Sequence, residues 1–317
     1  MENRESHALV NGVVTNGSPL LELHLGREVF ATGQRLSGVV LLRLPKSMNT
    51  RSLSVSVTGM ERPAGTPLVR AFVRSGAFFE REQLLSGALT PRLISDRASL
   101  LWNALLQRNT GRTLSAGEHT YPFSITLPAS LPASYEGRAG KIDYRVTARL
   151  QPILGRAVTV WQTVPVVFVP RMHRGRPVAL SSPAADGAVH PTETSMTIEL
   201  PEQAVAMGDK VEGRFAIANP RGLDIPRVTA SLEVCEWVRL AVDKEIERHR
   251  VDEAVITPED PSGSSVEAAF SLQLPESAPP SIDGTAISVI WLLKLTLDTD
   301  PPTEFKTPIT VYQPVRE

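Results

Sequence analysis

Residues 123–144 read FSITLPASLPASYEGRAGKIDY, and residues 270–291 read FSLQLPESAPPSIDGTAISVIW. Set side by side without gaps, they share nine identities in 22 positions. Average composition would supply about one or two. The shared residues are Phe, Ser, Leu, Pro, Ser, Pro, Ser, Gly and Ala, a mixture of turn formers and core residues. A second pair of landmarks keeps the same order, Ala31-x-Gly33-x4-Gly38 against Ala206-x-Gly208-x4-Gly213. An internal repeat of this length implies one fold used twice in tandem.

The repeat also disposes of a nucleotide site. GRAGK (137–141) shares letters with a phosphate loop, but such a loop needs Gly-x4-Gly-Lys-Ser/Thr opening a helix, where backbone N–H groups point at phosphate. Here the spacing is Gly137-x2-Gly140-Lys141, Ile142 follows, and the second copy has GTAIS in its place. The segment reads as a turn into a strand.

Working outward, apolar residues alternate with polar ones over short stretches. In IDYRVTARL (142–150), Ile142, Tyr144, Val146, Ala148 and Leu150 fall on one face. LSVSVTG (53–59), YPFSITLP (121–128), RVTASLEV (227–234), VEAAFSLQL (266–274) and TAISVIWLLKL (285–295) also read as strands, with 26 prolines and 21 glycines punctuating them. The predicted fold is all-β, two tandem immunoglobulin-like sandwiches. One segment departs: SDRASLLWNALLQR (95–108) opens on a Ser-Asp cap and sets Ala98, Leu101, Trp102 and Leu105 on one helical face. A single short helix is predicted there. It accounts for most of the 28 residues by which the second copy is shorter between landmarks. The expected organisation is a flexible N-terminus over 1–18, a first sandwich over 19–170, a linker over 171–190 rich in Pro, Ala, Ser and Arg, and a second sandwich over 191–317.

The formal net charge of −1 hides a division. Residues 1–170 carry 19 Lys and Arg against 11 Asp and Glu, and residues 191–317 carry 11 against 22. Such asymmetry points to an anionic partner for the first half, or to attraction between the halves. The longest apolar runs, VPVVFV (164–169) and VIWLLKL (289–295), are too short to span a bilayer, and MENRESHALVNG is too polar for a signal peptide. One cysteine, Cys235, excludes a disulfide framework, so a cytoplasmic setting is expected.

The motif Leu114-x2-Gly117-Glu118-x2-Tyr121-Pro122-Phe123-x3-Leu127-Pro128-x3-Pro132-x-Ser134-Tyr135-x-Gly137, leading into Ile142-x-Tyr144-x-Val146, resembles the N-domain pattern of the arrestins. Gly33-x4-Gly38-x-Val40, followed by Leu53-x-Val55-x-Val57-x-Gly59, looks like the opening strands of that domain, closer to the α-arrestins. The second copy is similar to the arrestin C-domain, and the likeness covers about residues 19–315. It implies a non-enzymatic scaffold that binds cytoplasmic regions of membrane proteins or trafficking machinery. The α-arrestins recruit ubiquitin ligases through Pro-Pro-x-Tyr. The Pro-Pro pairs here continue as PPSI (279–282) and PPTE (301–304), so no WW-domain ligand motif is present. The paired phosphate-sensing lysines of receptor-binding arrestins correspond to LLELHLGR (20–27), which offers only His24 and Arg27.

Chemistry is sparse. The six histidines have no metal-ligand spacing, no Gly-x-Ser-x-Gly elbow occurs, and Cys235 sits in an apolar strand, SLEVCEWV. No catalytic residue, metal ligand or cofactor site is expected. The run DKEIERHRVDE (243–253) reads as a solvated hairpin or edge strand. The candidate partner-binding residues are arginines, whose planar forks suit phosphate and carboxylate. Arg62, Arg70 and Arg74 bracket a predicted loop around ERPAGTPLVR (61–70), and Arg27 stands in LLELHLGR, where the resemblance sets the phosphate-sensing lysines. Arg171, Arg174 and Arg176 in the linker offer weak peripheral membrane contact, at about 1 kcal/mol each. With aromatics at 5% and no basic stripe among them, nucleic acid is not an expected partner. The leading expectation is therefore an adaptor for an acidic or phosphorylated protein segment. The alternative is a structural or sporulation-control-type arrestin-fold protein working as a homo-oligomer.

Overall fold

The computed structural model describes residues 18–64, 76–85, 93–94, 112–170, 178–181, 195–219, 222–239 and 244–314. The segment expected to be helical, 95–108, lies outside them, and every regular element among the described residues is a strand. The order is β1 (Leu20–Leu25), β2 (Phe30–Ala31), β3 (Arg35–Leu44), β4 (Met48–Pro63), β5 (Gly76–Leu84), β6 (Leu93–Ile94), β7 (Arg112–Leu114), β8 (Gly117–Thr126), β9 (Tyr135–Gly137), β10 (Gly140–Pro152), β11 (Val158–Val164) and β12 (Val166–Val167). There follow β13 (Val178–Ser181), β14 (Ser195–Glu199), β15 (Ala204–Ala206), β16 (Lys210–Ala218), β17 (Val228–Val238), β18 (Lys244–Ile256), β19 (Ser265–Gln273), β20 (Ile282–Asp283), β21 (Ile287–Leu297) and β22 (Thr303–Tyr312).

Two compact units result. The described residues of Met1–Arg62, Ser75–Ser134 and Ile142–Val167 make the first, and those of Pro63–Arg74, Tyr135–Lys141 and Phe168–Glu317 make the second. The first contains a sheet of order β1-β3-β8 and a larger one of order β11-β10-β4-β5-β6. The second contains β13-β14-β16-β19 and β15-β22-β21-β17-β18. Period-2 alternation builds each core. Ile142, Tyr144, Val146, Ala148 and Leu150 are at most 1% exposed, and Leu23, Val40, Leu42, Leu53, Val55 and Val57 are buried with them in the first unit. In the second unit Ile198, Phe215, Leu232, Val234, Leu272, Trp291, Leu293 and Val311 do the same.

The repeat is realised atom for atom at the corners. Ser134 donates its N–H to the Val166 carbonyl at 2.7 Å, and its hydroxyl oxygen accepts from the Val166 N–H at 2.9 Å. Ser281 does both to Val311 at the same distances. The Tyr144 hydroxyl donates to the Pro132 carbonyl at 2.6 Å, and the Trp291 indole N–H donates to Pro279 at 2.9 Å. The Ala-x-Gly landmarks are turns: Gln34 N–H reaches the Ala31 carbonyl and Asp209 N–H that of Ala206, with Gly33 and Gly208 at φ +79° and +89°. A positive φ at the third turn position calls for glycine.

GRAGK is a turn between strands. A β-carbon at Gly137 would come within 2.6 Å of the Tyr135 ring, so sterics, not phosphate, set that glycine. Within the second unit the Tyr135 hydroxyl donates to Glu236, which is 5% exposed and also accepts from the Ala139 N–H at 2.8 Å. Burial first, then the Glu236 carboxylate, push the phenol well above its ordinary range. Most of DKEIERHRVDE lies in β18, which is the edge of its sheet and the second arm of the antiparallel β17–β18 pair.

Candidate functional site

Each unit turns the outer face of its smaller sheet to solvent, and register decides what stands there. In the first unit β1 pairs β3 with Glu22 opposite Leu41 and His24 opposite Val39. On the other side Leu41 lies opposite Thr120, Val39 opposite Pro122, and Arg43 opposite Glu118. Leu41 stands at the middle, 36% exposed, and Arg43 donates to Glu118 at 2.8 Å. Only a shallow depression of about 60 Å³ is left, bordered by Leu20, Glu22, Arg43, Glu118 and Thr120.

The second unit repeats this face with smaller side chains. Thr197 lies opposite Ala216, and Glu199 opposite Arg214. Across the next ladder Ala216 lies opposite Glu267, and Arg214 opposite Ala269. Counting along the repeat from Gly38 and Gly213, Ala216 takes the place of Leu41. From Phe123 and Phe270, Ala269 takes the place of Pro122 and Glu267 that of Thr120. The result is a hollow of about 400 Å³, floored by Ala216, Ala268 and Ala269 and rimmed by Glu199, Arg214 and Glu267. A volume of this size accommodates a side chain or short ligand segment.

The outer edges are less available. On β8 the Ser124 N–H donates to Gln83 at 3.0 Å and the Thr126 carbonyl accepts from Arg81 at 2.8 Å. On β19 the Gln273 N–H donates to Asp252 at 2.6 Å. Side chains therefore occupy backbone groups that an added strand would need.

On the larger sheet of the second unit, acids and bases pair across strands. Cross-strand register joins Glu245, Arg248, Glu233, Lys294, Glu304 and Lys306 into one ladder, with Lys294 to Glu304 at 2.6 Å and Arg248 to Glu245 at 2.8 Å. Hydrogen bonds from Lys294 and Lys306 hold the Glu304 carboxyl below its usual range, and Arg248 does so for Glu245. Beside them Cys235 is 1% exposed and burial pushes its thiol up, the setting of a structural cysteine. Among the described residues no group of three His, Cys, Asp or Glu side chains is arranged to hold a metal, and no helix is long and apolar enough to cross a membrane.

Of the arginines singled out by sequence, Arg62 and Arg27 lie among the described residues; Arg70, Arg74, Arg171, Arg174 and Arg176 do not. Arg62 is not in a loop. It is the penultimate residue of β4, half-exposed, and pairs with Asp143 on β10. Arg27 is exposed in the turn after β1, at the end of the sandwich where β4 also finishes. No contact joins the two.

The alanine-floored hollow escaped the sequence reading. Its one signal was the substitution of Leu41 by Ala216 along the repeat, visible only once both copies are aligned through β3 and β16.

The sequence of both units finds its counterpart among known proteins. Residues 21–157 match the family model "Arrestin (or S-antigen), N-terminal domain", and residues 190–315 match "Arrestin (or S-antigen), C-terminal domain". The chain belongs to the arrestin family. Its identity to curated relatives is modest. It is 32% identical to arrestin domain-containing protein 1 of Mus musculus over 130 residues, 41% of this chain and 25% of that protein. It is 26% identical over 198 residues to the HECT-type ubiquitin ligase-interacting protein apyA of Emericella nidulans, 62% of this chain and 50% of that one. A Schizosaccharomyces pombe protein named as an arrestin-related trafficking adapter is 26% identical over 137 residues, 37% of this chain and 20% of its own length. The chain thus spans between a fifth and a half of these relatives. As an arrestin it is a divergent member whose two sandwich domains carry the likeness.

Proposed function

We propose that this arrestin is a cytoplasmic, non-enzymatic adaptor that docks an extended segment of a partner protein in the hollow on β14, β16 and β19. The observation that carries this reading is the 400 Å³ of space at the position where the first copy seats Leu41. The repeat supplies its own template for the occupant: a side chain of about leucine size, lying over alanines. The rim adds Glu199 and Glu267 against one Arg214, which favours a segment carrying a basic residue beside the apolar one. The names of the relatives, a ubiquitin ligase-interacting protein and a trafficking adapter, support an adaptor role of this kind.

A second contact is proposed on the basic first half, where Arg27, Arg62, Arg70 and Arg74, with Arg171, Arg174 and Arg176, would receive an acidic or phosphorylated segment. Affinity capture from the native cell separates the two. Ala216→Leu fills the hollow and should abolish capture of a partner held there, whereas Arg62→Glu with Arg70→Glu and Arg74→Glu should abolish only partners held by charge. A partner set unchanged by Ala216→Leu would remove the hollow from the mechanism.

A further inference from the structure

At the end of the first unit opposite Arg27 and Arg62, three segments converge on one tip. The hairpin between β10 and β11 turns through Ile153, Leu154, Gly155 and Arg156, with Gly155 at φ +106°. The Ile153 N–H is held by the Asn49 carbonyl at 3.0 Å, at the start of β4. Asn49 lies opposite Thr113 on β7, and Thr50 lies opposite Arg112 and donates its hydroxyl to the Arg112 carbonyl at 3.1 Å. The turn carrying Lys46 joins β3 to β4 at the same place.

What this tip presents is apolar at its apex and basic around it. Leu154 is 89% exposed and Ile153 42%, so the hairpin holds two large aliphatic side chains out in water. Lys46, Arg51, Arg112, Arg149 and Arg156 stand on the segments that meet here, all exposed. No Asp or Glu occurs in 44–53, 112–117 or 149–164. The nearest acid along these strands, Glu118, is already bonded to Arg43. Among the described residues none of the five cations has an ion-pair partner, in contrast to the closed ladder of the second unit. A protruding leucine on a tip whose strands carry basic side chains without ion-pair partners fits one surface chemistry: the leucine enters the acyl boundary while the cations meet anionic headgroups.

We propose that the 153–156 hairpin is a docking tip for an anionic lipid surface. It differs from the linker arginines considered from sequence, because the apolar apex supplies the insertion that scattered charge lacks. A short aliphatic apex with five cations gives reversible, salt-sensitive attachment.

The test is co-sedimentation of the full chain with vesicles of phosphatidylcholine, with and without phosphatidylserine. The wild type should sediment with the anionic vesicles and not with the neutral ones. Leu154→Asp should lower partitioning about tenfold, and Arg156→Gln about fivefold. Leu154 is nearly free in solution, so the melting curve of Leu154→Asp should match the wild type and exclude misfolding as the cause. As a second readout, Leu154→Cys can be labelled selectively, since the single native cysteine is buried. An environment-sensitive dye there should shift its emission to the blue on anionic vesicles. Failure of the wild type to bind, equal partitioning by Leu154→Asp, or displacement by soluble inorganic phosphate with no dye shift would each overturn the proposal. The last would mark a site for free anions, and the first would leave the tip to a protein.

Discussion

Two faces of one repeated fold, β1-β3-β8 and β14-β16-β19, differ at the positions where the sheets look outward. Leu41, Val39 and Pro122 cover the first, while Ala216, Arg214 and Ala269 leave the second hollow. Behind those faces the corners and close backbone approaches are kept, even where the core side chain differs, as Val40 against Phe215 and Tyr144 against Trp291. Ser134 and Ser281 close their corners with the same pair of hydrogen bonds, and Gly38 and Gly213 lie under Phe123 and Phe270. Duplication has kept the turn, corner and close-approach residues, and changed freely the ones that face solvent. Functional difference between the copies is therefore sought on the outward alternation, not in the corners.

The sharpest way to break this comparison is to give either closely packed glycine, Gly38 or Gly213, a side chain. A β-carbon at Gly38 would strike the His24 carbonyl and lie 2.8 Å from the Phe123 ring. At Gly213 it would lie 2.6 Å from the Phe270 ring and 2.8 Å from the Glu199 carbonyl. Alanine restricts the unfolded chain, a gain of at most about 1 kcal/mol, but the overpacking costs about 3 kcal/mol against backbone that has nowhere to go. Gly38→Ala and Gly213→Ala should each destabilise by about 2 kcal/mol or more, read from urea unfolding of the full chain. A neutral result at one position and not the other would mean that the two cores are not equivalent.

The corners should respond next, and alike. Ser134→Ala leaves the Val166 N–H without its acceptor, and Ser281→Ala does the same to Val311. Both of those residues are at most 1% exposed, so water does not replace the bond. The expected loss is about 1–2 kcal/mol at each. Thermal melts that separate the two by much more than this would show that one corner has an alternative acceptor.

These same residues are why the fold was readable from sequence. Pro132, Ser134, Gly137 and their counterparts are fixed by sterics and by buried hydrogen bonds, so their spacing survived duplication and announced the repeat. The strands showed through alternation, since one side of each must be buried. The hollow had no such signature: it consists of what alanine lacks, and it appears only when register sets Ala216 between Thr197 and Glu267. The ladder from Glu245 to Lys306 was illegible for the same reason, because its members come from four strands and meet only across pairing. Arg62 was misread as a loop residue because β4 continues through it to Pro63, where the turn chemistry of ERPAG suggested an earlier end.

The smallest expected effect tests the comparison most directly, by exchanging the residue that separates the faces. Leu41 is 36% exposed, so Leu41→Ala removes only part of the burial of a full leucine and should cost under about 1 kcal/mol. Ala216→Leu adds side chain to open space and should leave stability within about 0.5 kcal/mol, as for surface changes generally. The pair should nevertheless move partner capture in opposite directions: Ala216→Leu loses whatever the hollow holds, and Leu41→Ala opens a second hollow on the first unit. If capture follows the small side chain from one unit to the other, position 41/216 sets where this arrestin docks its partner. If Leu41→Ala captures nothing, the rim charges Glu199 and Glu267, which His24 and Thr120 replace in the first copy, carry the specificity instead.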